Sequence, residues 1–404
     1  MGPVGPLTPA QRGVLWTTGA SHALIHVYEL ATPALLILIQ REFGAGDFAM
    51  GGVVGLYGVM FGLGALPSGI VADRVGSRSL LVACLWGAAL CLAGMAVSRS
   101  LVAFGAFAGG MGLCLSIYHP AGTALLSHSL PPTGRVFAAH GMAGNLGVAG
   151  SGLVAGGLGA LVGWRATLGL LAAAGLVLGL RATALTTPGP GEVRRRPGRG
   201  NWPGFLLLLV AAAFLGMVYR GTTTFLPKFF AKSYASGTSA GVALGGLLTT
   251  LALLSGVAGM YVAGRGIDRG TSSARVFLAG AVAQLPFLAA LGFAGGPALL
   301  PLAMLAAFSH FFTQPPGNRL VVEFTPPRLR GLGYGIYFLV AFGAGSLGAT
   351  VGGWVSEHRA LESVFPALAI VGLPGVLAAL ALAARRDRAP GVRGGEGPRR
   401  AARG

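Results

Sequence analysis

Arg220 is the first residue that calls for a chemical explanation. It ends the run "FLLLLVAAAFLGMVYR" (205–220), which is otherwise hydrocarbon. A guanidinium stays charged throughout and presents a planar fork of donors that grips a carboxylate or phosphate in two places. Thr223, Thr224 and Pro227 follow it on the same helical stripe. A second group is His22, His26 and Glu29, which at ~100° per residue fall within about 60° of one another on a helix. Their charges can change with pH. Ser116, His119 and Thr123 repeat at i, i+3, i+7, and His310, Gln314 and Asn318 at i, i+4, i+8. Together these groups could hold an anionic or carbonyl-bearing solute and exchange protons with it. The stripe His22, His26, Glu29 also has helical ligand spacing for Zn²⁺ or Fe²⁺, but no Cys or Asp cluster completes a shell. There is no Ser/His/Asp set and no nucleotide loop, so neither an enzyme nor a resident cofactor or metal is expected.

The elements that carry these groups must be membrane helices. The chain is 53% hydrophobic and 10% charged, with a mean hydropathy of +0.72, whereas soluble domains are about 25% charged. Gly accounts for 70 of 404 residues and falls inside apolar runs, where small residues let helices approach closely in lipid. Cys84, Cys91 and Cys114 have neither disulfide nor zinc spacing and read as packing residues. A span needs about 20 apolar residues. Twelve such spans are expected: 14–39, 50–72, 79–98, 101–127, 136–160, 164–186, 203–230, 241–264, 276–294, 297–323, 332–355 and 362–384. The apolar run from 14 is too long for a signal peptide, so the first span should remain in place. "TTPGPGEVRRRPGRGNWP" reads as a solvated linker. The expected organisation is a six-helix bundle over 1–186, a basic cytoplasmic linker over 187–202, a second bundle over 203–384 and a disordered basic tail over 385–404.

Charge gives the orientation. With both termini cytoplasmic, cytoplasmic segments hold 20 of the 29 Lys and Arg residues. External loops hold six (Arg41, Arg99, Arg165, Lys228, Lys232, Arg359), and Arg181, Arg220 and Arg319 fall within spans. This is the positive-inside pattern, and it accounts for the net charge of +18 without nucleic acid. The expected setting is a cytoplasmic (inner) membrane. The basic tail is suited to anionic lipid, at about 1 kcal/mol per basic residue.

The halves are copies. At an offset of 195 residues "SGIVADR" (68–74) faces "AGRGIDR" (263–269), pairing Asp73 with Asp268 and Arg74 with Arg269. The same offset pairs His119-Pro120 with Gln314-Pro315 and Arg135 with Arg330, while an offset of 194 sets His26 opposite Arg220 and Pro33 opposite Pro227. Duplicated 6+6 helices are a secondary-transporter signature.

"GIVADRVGSR" (69–78) follows the pattern Gly-x-x-x-Asp-Arg-x-Gly-x-Arg between the second and third spans. With twelve spans, a basic central loop and a second copy at 264–269, the whole chain resembles the major facilitator superfamily. That resemblance implies an all-α integral membrane fold of two pseudo-symmetric six-helix bundles. It also implies a cytoplasmic latch built from Gly69, Asp73, Arg74, Gly76, Arg78, Asp268 and Arg269. Its first, fourth, seventh and tenth helices line a central cavity, and these are the spans that hold the polar stripes here. "YHPAGTALLS" and "HGMAGNLG" are similar to the drug-efflux branch that includes fosmidomycin-resistance proteins. Two features depart from drug/proton antiporters: Gly105 stands near where they carry an Arg, and "GVAGSGLVAGG" lacks their Gly-Pro.

The expected function is therefore alternating-access transport of a small organic solute by a monomer, coupled to protons, with efflux favoured over uptake. The alternatives are metal-ion transport on the His22, His26, Glu29 stripe, or uniport or import of an organic anion. Individual residues keep plainer readings. His22 could simply bond a neighbouring helix, and His119 could satisfy carbonyls freed by Pro120. His140 reads as interfacial, and Arg319 and Glu323 as snorkelling residues that support the latch.

Overall fold

The computed structural model describes residues 7–130, 134–185, 200–235, 238–326 and 329–387. All regular structure among them is helical. Twelve spans account for it. The first, α1 (Pro9–Ala34, resuming as Leu36–Phe43), bends by 51° just after Pro33. Proline has no N–H to donate and crowds the carbonyl four residues back, here that of Glu29. Next come α2 (Asp47–Val75), α3 (Ser77–Val97) and α4 (Leu101–Ser116, then Tyr118–Ser129). A 45-residue apolar stretch, Ala139–Thr183, follows. At ~1.5 Å per residue it would reach about 68 Å, over twice the ~30 Å of hydrocarbon. Gly163 divides it, with φ 80° and ψ 162° inside the helix Gly157–Thr183. Thus α5 comprises Gly134–Ser151, a π-turn Gly152–Gly156 and 157–162, and α6 is 164–183.

The second half repeats the plan. It consists of α7 (Trp202–Ala235), α8 (Ser239–Asp268), α9 (Ser273–Leu291) and α10 (Leu299–Phe312, then Gln314–Phe324). Then come α11 (Arg330–Phe338, a π-turn Leu339–Gly343, Ala344–Ser346 and Leu347–His358) and α12 (Val364–Asp387). Most helices overrun the expected spans by a few residues at one end or both, because apolarity marks only the hydrocarbon layer while hydrogen bonding continues past it; α6 and α9 instead stop three residues short of the expected ends. Linker residues 187–199 and the tail from 388 lie outside the described residues.

Packing follows the duplication. In the first half α1 lies on α5, α2 on α4 and α3 on α6; in the second, α7 lies on α11, α8 on α10 and α9 on α12. Breaks recur at matching places. α4 breaks at Ile117, just before His119-Pro120, and α10 at Thr313, just before Gln314-Pro315. The halves meet along two seams, α2 on α11 and α5 on α8, and along α1 against α7. Glycine makes the seams possible. A Cβ on Gly152 would strike the carbonyl of Gly246 across the α5–α8 seam, and one on Gly62 would strike the backbone of Gly343 across the α2–α11 seam. Each seam includes a π-turn, a feature common at functional sites. The outer face is apolar: Val102, Leu161 and Phe293 are each more than 80% exposed. That surface suits lipid, and the chain is a multi-pass membrane protein.

Candidate functional site

Where α1 meets α7, about midway along both, a carboxylate and a guanidinium face each other across the two halves. Arg220 is 2% exposed and Glu29 6%. Nη2 of Arg220 donates to Oε1 of Glu29 at 2.5 Å, and the other oxygen, Oε2, accepts from Nδ1 of His26 at 2.8 Å. One carboxylate therefore binds a cation from the far half and an imidazole from its own helix. Two features leave Arg220 with capacity to spare. Its guanidinium lies 5.5 Å from the centre of the Tyr57 ring, a cation–π contact. Its Nη1 is buried without a hydrogen-bond partner among the described residues, a costly arrangement for a charged donor.

Beside this pair the imidazoles gather. The His22 ring lies 5.1 Å from His26, 5.4 Å from His119 and 4.3 Å from His140. Nδ1 of His22 donates to the carbonyl of His140 at 2.9 Å. Nε2 of His140 meets Oη of Tyr118 at 3.0 Å, and that hydroxyl donates to the carbonyl of Thr18 at 2.5 Å. Two stretches singled out in the sequence meet at this cluster. "YHPAGTALLS" supplies Tyr118 and His119, while "HGMAGNLG" supplies His140 and Gly144. A side chain at Gly144 would collide with the His22 ring. His140 is therefore a buried member of the cluster and not the interfacial residue expected. Its pairing with His22 was hidden because the two are 118 residues apart.

Other expected residues are placed differently. The hydroxyls of Thr123, Thr223 and Thr224 bond carbonyls of their own helices, those of His119, Tyr219 and Arg220. The helical position was legible in sequence; back-bonding occupies each donor, although Thr223 still borders the void beside His310. His310 lies in the second half: it bonds Oε1 of Gln284 at 3.0 Å and stacks on Tyr219 at 4.7 Å. With Gln284 and Thr222, it lines a void of about 30 Å³, room for one water. Gln314 is half-buried and Asn318 exposed, below the break in α10. Both oxygens of Glu29 are engaged, by Arg220 and by His26, and the third donor that converges with His22 and His26 is His119.

The latch expectation is only partly open to inspection, as the side chains of Gly69, Asp73 and Arg74 lie outside the described residues. Gly76 turns the chain with φ 85°, and Gly270, one place out of register in the second copy, does so with φ 90°. Such a φ favours glycine, so the displaced residue performs the same turn. Arg78 donates to the carbonyl of Leu185 at 2.9 Å, which braces α3 against the end of α6 within its own half. Asp268 and Arg269 end α8, both exposed. Arg319 and Glu323 pair at 3.1 Å, and Glu323 also accepts from Ser273.

At the end remote from the termini lies a cluster that sequence reading missed. Lys228, only 6% exposed, is not in a loop: it lies within α7, pairs with Asp47 and donates to Gln40 at 2.9 Å. Ser356 donates to Asp47 at 2.5 Å, and the Phe48 N–H donates to Glu357 at 2.8 Å. Residues 40–48 of the first half are thereby tied to α7 and α11 of the second. A vestibule of about 410 Å³ opens over Gln40, Asp47, Lys228 and Lys232.

Comparison places this architecture. The sequence profile of the Major Facilitator Superfamily matches residues 25–349 and 239–403. No curated protein sequence matches the chain. Among solved structures, a bacterial homolog of the human lysosomal transporter Spinster, inward-facing and occupied, superposes with a TM-score of 0.79. It is 16% identical, over 96% of this chain and 100% of that one. The nucleoside transporter NupG follows at 0.76, with 16% identity over 92% and 99% of the two chains. A peptide transporter POT bound to sulfate gives 0.75, with 13% identity over 93% and 94%. At these identities the likeness is one of fold. The profile match over most of the chain, with the twelve helices in two related halves, makes the protein a transporter rather than an enzyme, and it belongs to the Major Facilitator Superfamily.

Proposed function

We propose that the protein moves a small organic solute carrying a carboxylate or other anionic group by alternating access, coupled to protons. The observation that supports this is the buried Arg220–Glu29 pair. It joins the two halves at mid-depth, and one guanidinium nitrogen is left without a partner. An unpaired polar group there is costly, so a solute oxygen that reaches Nη1 replaces a deficit. Once the solute competes for the fork, Glu29 loses part of its counter-charge. A carboxylate relieved of its cation takes up a proton more readily. Solute arrival and protonation are thereby linked through one side chain, with His26 on the second oxygen as the adjoining proton carrier.

The setting is a cytoplasmic membrane with both termini inside, so the Asp47–Lys228 cluster is the external closure and the vestibule lies outside it. Purified protein in liposomes, assayed against a panel of organic anions with and without a pH gradient, tests the reading directly. Gradient-stimulated flux of at least one anion is expected. Flux indifferent to the gradient would remove the coupling, and no flux for any anion would remove the solute class.

The closure makes its own prediction. Combining Asp47→Asn with Lys228→Gln removes both charges without stranding either, so the fold should survive. A cysteine introduced as Ile37→Cys should then react severalfold faster with a membrane-impermeant thiol reagent. Unchanged reactivity would make the cluster a structural tie only.

A further inference from the structure

We propose that His22, His26 and His119 form a binding site for one divalent transition ion of the zinc class. The ligating nitrogens of the three lie within 4.8 Å of one another. Ligands on bonds of ~2.0–2.1 Å around a tetrahedral ion stand roughly 3.4 Å apart, so modest side-chain rotations complete the contraction. The tautomers are already set for it. Nδ1 of His22 faces the His140 carbonyl at 2.9 Å, and Nδ1 of His26 faces the Glu29 carboxylate at 2.8 Å. Both partners only accept, so each Nδ1 carries the proton and each Nε2 keeps its lone pair. This is the outer arrangement that metal-bound histidines use, with a carbonyl or carboxylate holding the far nitrogen.

His140, though stacked on His22, is not among the three residues whose nitrogens converge. Its backbone carbonyl instead holds Nδ1 of His22 and so orients that ring. Three imidazoles without thiolate suit Zn²⁺ and its neighbours Co²⁺, Ni²⁺ and Cu²⁺, whereas Mg²⁺ and Ca²⁺ take oxygen ligands. Three protein ligands leave a fourth position for water or solute. The ion would join α1 to α4 and place two positive charges behind His26, on the side of Glu29 away from Arg220. The site shares His26 with the coupling proposed above, but its test is separate, because binding requires neither flux nor a gradient.

The test uses full-length protein in detergent, purified on a histidine-free tag and stripped with chelator. Calorimetric titration with ZnCl₂ should give one ion per chain. Removing an outer partner of a metal-bound histidine typically weakens affinity about 10–100-fold, so removing a ligand, as in His119→Gln or His22→Gln, should weaken it at least that much. His358→Gln, at the far end of α11, should leave it unchanged. Loading wild type with Co²⁺ gives a readout that needs no variant: the intense visible band of a four-coordinate ion is expected. A pale six-coordinate spectrum, absence of saturable one-to-one binding, or equal affinity in the ligand variants would each overturn the proposal.

Discussion

Arg220→Gln should abolish solute flux and destabilise the protein together. The substitution leaves Glu29 buried with no cation, and breaking a buried pair from one side costs about 3–5 kcal/mol. The double variant Glu29→Gln with Arg220→Gln removes both charges, and it should regain most of the lost thermal stability while remaining inactive. That contrast separates a transport role from a structural one. Arg220→Lys is the sharper probe. It retains a cation for Glu29 but gives up the fork whose second nitrogen, Nη1, is unpartnered. Stability should be nearly preserved, while the KM for an anionic solute rises at least about tenfold, the loss of one charge-assisted hydrogen bond of ~1.5–3 kcal/mol. Normal flux in both Arg220→Lys and Arg220→Gln would put the residue outside the solute path.

The sequence made this residue conspicuous for a simple reason: in hydrocarbon a charge is expensive, so any mid-span arginine stands out. Duplication set His26 opposite Arg220 by register, and from that register the meeting of α1 with α7 could be anticipated. Periodicity also put His22, His26 and Glu29 on one stripe, because a stripe depends only on the local rise and turn of one helix. Twelve spans were countable because hydrocarbon thickness fixes their length. The π-turns at Gly152–Gly156 and Leu339–Gly343 left no comparable trace. Both lie in glycine-rich apolar runs whose composition suits a straight helix equally well.

Contacts between distant segments were harder to read. His140 lay near the expected start of its span and looked interfacial; only the approach of α5 to α1 over Gly144 brings it onto His22. Asp47 and Lys228 were ordinary loop charges in sequence. Their burial depends on where α2, α7 and α11 converge, which no single helix encodes. The threonines show a different limit. Their stripe was correct, but a hydroxyl on a helix has carbonyls of its own within reach, and no spacing rule tells whether it turns inward or back. Arg78 shows the same limit for a motif: its position in "GIVADRVGSR" was clear, yet its side chain braces a neighbouring helix end within the same half.

The second large effect concerns Glu29 itself. Glu29→Gln preserves shape and still offers Arg220 one carbonyl oxygen, so the cross-half contact should persist and the protein should fold, though with lowered stability because the Arg220 charge is left uncompensated. What changes is the other side. The amide presents N–H where Oε2 accepted from His26, so His26 must turn its lone pair toward it and shift its proton to Nε2. The variant can no longer alternate between a charged and a neutral state at this position. In proteoliposomes, solute exchange between equal pools should continue near the wild-type rate, while accumulation driven by a pH gradient should fall to the level seen without one. Loss of exchange as severe as the loss of accumulation would make Glu29 a solute ligand or a structural partner instead. The distinction is physical: a proton-carrying carboxylate is needed only when the empty and loaded states must differ in charge, whereas a ligand is needed each time solute crosses.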